Sequence, residues 1–267
     1  MKTSRRSSRS TWCTDVSSNG CASETRSRSA TRTAVQRQRP VRKRSPKPRT
    51  QAEHLLLDGP VGKIEVIVEN PGAPRGIALI AHPHPLFGGG NTNKVVQTLA
   101  RTFNHLDYVA LRPNFRGVGQ SAGKHDEGLG ETEDLLAVLA EAKCRYGTLP
   151  VALAGFSFGA YVQTRVAEAL LESGHPAQRL VLVGTASGFV EGARRYHTKA
   201  VPRDTIVIHG SDDATVPLAN VIEWAKPLEL PVVVVPGADH FFHRRLHVIR
   251  EIVSQRLLMA CAVVEAT

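Results

Sequence analysis

Apolar runs alternate with amphipathic segments over most of this chain of 267 residues. Continuous apolar runs, typical of strands buried on both faces, lie at 76–81, 108–112, 150–155, 180–184, 205–210 and 231–236. Segments with the spacing of helices lie at 93–106, 130–146, 158–173, 218–227 and 243–260. Buried strands separated by helices predict an α/β fold, with a mostly parallel, doubly wound sheet and helices on both faces.

Two further strands are predicted ahead of this alternating part. Residues 54–60 and 63–69 flank a Gly-Pro turn, and the second run alternates polar and apolar residues, as half-exposed antiparallel strands do. They bring the predicted sheet to about eight strands. Roughly 20 residues separate 180–184 from 205–210, which leaves room for one short helix and for no lid domain. The carboxyl edge of the sheet should therefore be open.

The net charge of +10 is confined to one end of the chain. Residues 1–50 contain 14 Lys and Arg against two acidic residues, whereas 51–267 contain 20 basic and 22 acidic residues. Only residues 1–50 therefore carry the excess positive charge that could attract nucleic acid or a membrane surface. We expect two parts: a basic extension at 1–50 and an α/β domain at 51–267.

The basic extension is rich in Ser and Arg and poor in large apolar residues. Such a composition favours disorder, because little apolar surface is available to offset the entropy of ordering. It also lacks the apolar centre of a secretory signal. Four interpretations stay open: a solvated extension or a wrongly assigned start codon, an organelle transit peptide, a nucleic-acid-binding arm around 39–49, and a nuclear address in the same segment.

Cysteine usage and hydropathy point to a reducing, aqueous compartment. The four cysteines form no C-x-x-C pair, and no stretch of 18 apolar residues occurs. We expect a cytoplasmic protein with no membrane span. The sequence does not indicate the oligomeric state.

A serine follows one of the buried strands, in the motif Gly155-Phe-Ser157-Phe-Gly159. The positions two before and two after the serine are small, as a sharp turn between a strand and a helix requires. Such a turn exposes the hydroxyl beyond the carboxyl end of the sheet, where the helix N-terminus favours negative charge. Ser157 is a candidate nucleophile; the alternative is a glycine turn with a capping serine.

A candidate acid and a candidate base follow later strands. Asp212 and Asp213 come directly after 205–210, and His240 comes after 231–236. The chain order Ser157, Asp213, His240 matches the order of nucleophile, acid and base in one known class of hydrolase. His243 is a rival base, but we expect it at the surface, where the last helix begins.

These motifs resemble one family. Residues 51–267 are similar to α/β-hydrolases, and H-P-H-P-L-F-G-G (82–89), N-K-V-V (93–96), R-P-N-F-R-G-V-G-Q-S-A-G (112–123) and G-F-S-F-G resemble the small, lidless, dienelactone-hydrolase-like group. The family's acid loop, G-x-x-D-x-x-V-P, matches Gly210–Pro217 with Asp213 in the acid position; Asp212 is the alternative. Dienelactone hydrolases themselves use a cysteine nucleophile, so Ser157 is a departure that argues against their substrate.

Stabilisation of an oxyanion requires two N–H donors. One is the residue after the nucleophile, Phe158, and the other comes from the loop after the strand at 76–81. The resemblance assigns that second donor to Leu86.

These assignments predict a serine hydrolase that cleaves small carboxylic esters, or lactones or thioesters, through an acyl-enzyme at Ser157 without a metal or cofactor. The substrate would be a small molecule, and the residues that bind it are not identified by the sequence. The alternatives are an exopeptidase, a perhydrolase with the same triad, and a non-catalytic protein that keeps the fold for binding.

Several other residues have two interpretations each. His82 and His84 form a metal pair with His209, Asp212 or His240, or they stiffen a proline-rich loop. Arg116 binds an acidic substrate group or holds its own loop. Aromatic residues form an acyl pocket or belong to the core: Phe156, Phe158, Phe241 and Phe242. The run G-V-G-Q-S-A-G fits neither nucleotide-binding pattern.

Overall fold

A computed structural model describes residues 51–190 and 194–264. The predictions for residues 1–50, namely disorder, a transit peptide or nucleic-acid binding, fall outside the described residues. No helix in the described part of the chain is long and apolar enough to cross a membrane.

The described residues form the alternating pattern of strands and helices that the sequence predicts. The strands are β1 (Ala52–Gly59), β2 (Gly62–Glu69), β3 (Gly76–Ala81), β4 (Tyr108–Pro113), β5 (Val151–Phe156), β6 (Arg179–Val183), β7 (Gly188–Val190), β8 (Arg194–Tyr196), β9 (Ile206–Gly210) and β10 (Val232–Val235). The α-helices are α1 (Lys94–His105), α2 (Leu129–Tyr146), α3 (Phe158–Glu172), α4 (Leu218–Ala225) and α5 (Leu246–Val264). Short 3-10 helices occupy Pro85–Phe87 and Lys226–Leu228.

Eight strands form one sheet in the order β1-β2-β4-β3-β5-β6-β9-β10. The six strands from β4 to β10 in this order are parallel, and β1 and β2 join antiparallel at one edge. This confirms the predicted sheet. The register pairs Ala81 with Gly155 and Phe156 with Val183, so the carboxyl ends of β3, β5 and β6 lie side by side.

Two apolar layers cover the two faces of the sheet. Along β5, Val151 and Leu153 pack into the layer beneath α2 and α3. The alternate residues, Ala152, Ala154 and Phe156, pack into the layer beneath α1 and α5. Side chains alternate between faces along a strand, and both layers are apolar, so β5 is apolar throughout. This is why the central strands are continuous apolar runs.

Two local predictions are wrong, and one segment differs from what the spacing allowed for. Between β6 and β9 the sequence left room for one short helix, but β7 and β8 pair there as antiparallel strands. The run at 231–236 was expected to be buried on both faces, but β10 is an edge strand with Val234 37% exposed. The last helix starts at Leu246 and not at 243, because Phe242 and Arg244 have φ of 53° and 59°, outside the helical region.

Arg116 has a structural position. Its Nε and Nη2 each donate to one carboxylate oxygen of Asp134 at 2.8 Å, and Nη2 also donates to the carbonyl of Gly130 at 2.6 Å. Both side chains are buried, 7% and 3% exposed. The guanidinium ties the loop after β4 to the start of α2, as the loop-holding interpretation expects.

Replacing Arg116 with Met should lower the free energy of unfolding by about 3 kcal/mol, because Asp134 would be left buried without its partner. Lys63→Met is the control. Lys63 pairs with Asp58 at 2.6 Å, but these side chains are 53% and 90% exposed, so its loss should cost less than about 1 kcal/mol. Urea unfolding of both variants tests this, and equal losses would contradict it.

Candidate active site

Ser157 lies in a strained turn between β5 and α3, with φ of 56° and ψ of −118°. The turn is possible because Gly155 and Gly159 have no side chains, so the backbone of α3 can lie directly against the backbones at the ends of β5 and β3. A Cβ on Gly155 would lie 2.4 Å from the carbonyl oxygen of Gly159, and one on Gly159 would lie 2.4 Å from that of His82. No other residue fits at such distances. The two glycines in the motif are therefore required by the close packing of α3 on the sheet.

A chain of hydrogen bonds joins the three side chains that the sequence placed after different strands. Ser157 Oγ lies 3.0 Å from His240 Nε2, and His240 Nδ1 lies 2.7 Å from Asp213 Oδ2. A carboxylate accepts only, so Nδ1 carries the proton and Nε2 accepts from the serine hydroxyl. All three residues are buried.

The structure brings Asp213, and not Asp212, into this chain. The other oxygen of Asp213 accepts from the backbone N–H groups of Thr215 at 3.0 Å and Val216 at 2.8 Å. Asp212 is exposed, and its carboxylate accepts from Ser211 Oγ at 2.6 Å. The carboxylate of Asp213 is thus oriented by its own turn and bonds to His240, whereas that of Asp212 bonds to the neighbouring Ser211.

His243 lies outside the chain of hydrogen bonds. It is exposed, its N–H donates to Asp239 Oδ1 at 2.9 Å, and its ring Nδ1 lies 2.5 Å from Asp239 Oδ2. It is a surface residue, as expected, although it precedes α5 rather than beginning it.

His82 is fully buried, and both of its ring nitrogens are used inside the protein. Nε2 accepts from the backbone N–H of Phe115 at 2.9 Å, and Nδ1 donates to the carbonyl of Pro83 at 2.7 Å. Burial lowers the pKa of His82 to about 4. A neutral ring with both nitrogens paired supports the loop and cannot also bind a metal.

His84 and Leu86 share a hydrogen bond. His84 Nδ1 accepts from the backbone N–H of Leu86 at 3.3 Å, and its ring packs 4.9 Å from that of Phe158. Burial lowers the pKa of His84 to about 4. The described residues contain no group of three or more His, Cys, Asp or Glu side chains placed to hold a metal.

The two N–H groups predicted for an oxyanion differ in their surroundings. Phe158 is the first residue of α3, so its N–H precedes the first helical hydrogen bond. The N–H of Leu86 is bonded to His84, and the Leu86 side chain is 70% exposed. The assignment of Leu86 stays a prediction.

A cavity of about 390 Å³ opens over Ser157 and His240. Its other lining residues are mostly apolar or aromatic, and they include Pro83, Phe87, Phe158, Ala186, Val190, Tyr196 and Phe241. Arg194 also lines the cavity and lies 4.1 Å over the ring of Phe87. Of the four phenylalanines named from the sequence, Phe158 and Phe241 line the cavity. Phe156, Phe158 and Phe242 belong to the core, so Phe158 does both.

Sequence reasoning missed the wall that β7 and β8 form. Val190, Arg194 and Tyr196 line the cavity from these strands, where the sequence left room for a short helix. Each strand has only three residues, and Arg194-Arg195-Tyr196 does not alternate polar and apolar residues, so the sequence contains no strand signal here.

Comparisons with known proteins agree with this geometry. The family model described as serine aminopeptidase, S33, matches residues 72–203. Protein RP471 of Rickettsia prowazekii, which is uncharacterized, is 31% identical over 70% of this chain and 81% of its own length.

Two solved structures extend the match over nearly their whole lengths. XC6422 of Xanthomonas campestris, an α/β serine hydrolase without a lid, is 35% identical over 80% of this chain and 97% of its own, with a TM-score of 0.69. An α/β serine hydrolase homologue from Coxiella burnetii is 38% identical over 77% and 97%, with a TM-score of 0.67. The chain belongs to the α/β-hydrolase superfamily.

The pKa of His82 makes a prediction about stability. Its pKa is about 4 in the folded protein, against an ordinary 6.5, so below pH 6.5 the unfolded chain binds a proton that the folded protein does not. Stability should therefore fall as the pH drops from about 6.5 towards 4. Between pH 7 and pH 5 this residue should account for a loss of about 2 kcal/mol.

The variant His82→Gln isolates this contribution, because its amide can still accept from Phe115 and cannot titrate. Urea unfolding at the two pH values should show a loss that is smaller by about that amount in the variant. His84 and His209, whose pKa values are also lowered by burial, act in the same direction in both proteins. Identical losses in parent and variant would contradict the assignment.

Proposed function

We propose that this protein is a serine hydrolase that cleaves small carboxylic esters, or related lactones or thioesters, through an acyl-enzyme at Ser157. The observation that carries the proposal is the buried chain of hydrogen bonds from Ser157 through His240 to Asp213, at the base of an open cavity. A serine whose hydroxyl bonds to an oriented histidine is an activated nucleophile.

The reaction has two halves. Ser157 Oγ attacks the substrate carbonyl while His240 Nε2 takes the hydroxyl proton, and the imidazolium is stabilised by Asp213. His240 then donates that proton to the leaving alcohol or thiol as the carbon–oxygen or carbon–sulfur bond breaks. Water, deprotonated by the same nitrogen, then attacks the acyl carbon. The bond from that carbon to Ser157 Oγ breaks, the acid leaves, and His240 returns the proton to Oγ, which regenerates Ser157.

Negative charge on the substrate oxygen would be stabilised at the N-terminus of α3. The N–H of Phe158 is the first proposed donor, and the aligned dipoles of the helix add to it. Leu86 is the second proposed donor. To bind the substrate oxygen, the N–H of Leu86 would have to give up its hydrogen bond to the His84 ring. That bond is 3.3 Å long, near the limit for a hydrogen bond, so it is weak.

The cavity favours an apolar acyl group over a peptide. An aminopeptidase must bind a charged α-ammonium group, for which a carboxylate is the natural partner. No Asp or Glu lines the cavity within the described ranges, and Arg194 contributes a positive charge instead. The proposal therefore places this chain among the ester-cleaving hydrolases, even though the matching family model is described as serine aminopeptidase.

Treatment of the full chain with a fluorophosphonate probe should label Ser157 in the parent protein. Ser157→Ala and His240→Ala should not be labelled at a measurable rate, and should lose about 10⁴- to 10⁶-fold in kcat towards any ester that the parent cleaves. His243→Ala is the matched control, because it removes an exposed histidine three residues away. An unlabelled but folded parent would overturn the proposal and favour a binding protein.

Asp213→Asn should lower kcat by about 10⁴-fold, because the amide cannot fix the imidazole in the required tautomer. Asp212→Asn, which makes the same chemical change one residue earlier at an exposed site, should stay within about twofold of the parent. Rates of probe labelling measure both without knowledge of the natural substrate. A large loss in Asp212→Asn with little in Asp213→Asn would reverse the assignment of the acid.

A further inference from the structure

A third histidine lies beneath the proposed acid and takes no part in the mechanism above. His209, in β9, is fully buried. Its ring Nε2 lies 2.9 Å from the carbonyl oxygen of Val216 and 3.4 Å from Asp213 Oδ2. The same carboxylate oxygen receives the hydrogen bond of His240 Nδ1 at 2.7 Å. Asp213 Oδ2 therefore lies between two imidazole rings.

The surroundings of His209 determine where its proton is. Both neighbours of Nε2 are acceptors, so Nε2 carries the hydrogen and donates it. Nδ1 has no hydrogen-bond partner within the described structure, so it is the unprotonated nitrogen of a neutral ring. Burial lowers the pKa of His209, which agrees with that neutral form. The titratable groups that act on it are Asp213 and His240.

His209 also closes the turn that orients the acid. Val216 donates its N–H to Asp213 Oδ1 at 2.8 Å and accepts from His209 through its carbonyl at 2.9 Å. Thr215 adds a second N–H to the same carboxylate oxygen. The carboxylate of Asp213 therefore holds the turn together from inside, and the ring N–H of His209 ties the turn to β9.

We propose that His209 is a positioning residue for Asp213: its Nε2–H donates to the Val216 carbonyl and so holds the acid turn, and the same N–H lies 3.4 Å from the carboxylate oxygen that His240 uses. This inference rests on the proposed function, because it assigns a second partner to the proposed acid. The N–H of a neutral ring partly neutralises the negative charge of a nearby carboxylate. His209 therefore weakens the attraction between the carboxylate of Asp213 and protonated His240.

The test measures fluorophosphonate inactivation of the full chain against pH, which needs no natural substrate. His209→Phe keeps a ring of similar size and loses the N–H, and His209→Gln places an amide N–H near the position of Nε2. The parent must be labelled first; an unlabelled parent would contradict the proposed function itself, and with it this inference.

In His209→Phe the acidic limb of the profile, which reports the pKa of the base, should move to higher pH by about half a unit. The reason is that Asp213 then acts on His240 with its full charge. The plateau rate should also fall about tenfold, less than the ~10⁴-fold expected from loss of the acid itself. His209→Gln should restore both. A His209→Phe profile that keeps the parent's pH dependence would show a merely structural role, and so would an equal defect in His209→Gln.

Nitrogen-15 NMR of the parent protein gives a second test that needs no variant to fold. The His209 ring should be in the Nε2–H tautomer, with Nδ1 unprotonated, at the pH of the labelling plateau. A proton on Nδ1 at that pH would overturn the inference even if Ser157 is labelled.

Discussion

The approach of α3 to the carboxyl ends of β3 and β5 is the contact on which the site depends. At Gly155 and Gly159 the backbones are so close that any Cβ would overlap a carbonyl group. This contact places the N-terminus of α3 against the edge of the sheet. It also forces Ser157 into a left-handed conformation, a strain that the surrounding packing must offset. The position of Ser157, the proposed nucleophile, is therefore set by backbone packing and not by the serine side chain.

Several polar groups that are buried around this contact have hydrogen-bond partners in other parts of the chain. His82 bonds to the loop after β4, Asp213 bonds to His240 as well as to its own turn, and Arg116 bonds to α2. Burial without partners would cost several kcal/mol for each charge. The network fixes the edge of the sheet rigidly, and rigid positioning is what a nucleophile and its base require.

The wall of the cavity is built differently from its base. The base lies on central elements buried on both faces, whereas part of the wall comes from the short strands β7 and β8 and the 3-10 helix at Pro85–Phe87. Phe87 and Phe189 on these segments are 67% and 62% exposed. Elements with few buried contacts can change without loss of the fold. Under the proposed function, the wall would set the substrate preference and the base would carry out the chemistry.

The sequence by itself determined the sheet, its helices, the turn at Ser157 and the chain order of nucleophile, acid and base. These depend on apolar periodicity and on local turn chemistry, which short windows of sequence contain. The sequence favoured Asp213 over Asp212 through its family resemblance, and the structure shows the hydrogen bond between Asp213 and His240. Tertiary structure alone decided that Leu86 bonds to His84 and that His209 lies beside the acid. It also formed β7 and β8 where the sequence left room for a short helix. Such features depend on contacts between residues that are distant along the chain, or on side-chain directions that differ between neighbouring residues. Neither produces a periodic pattern in the sequence.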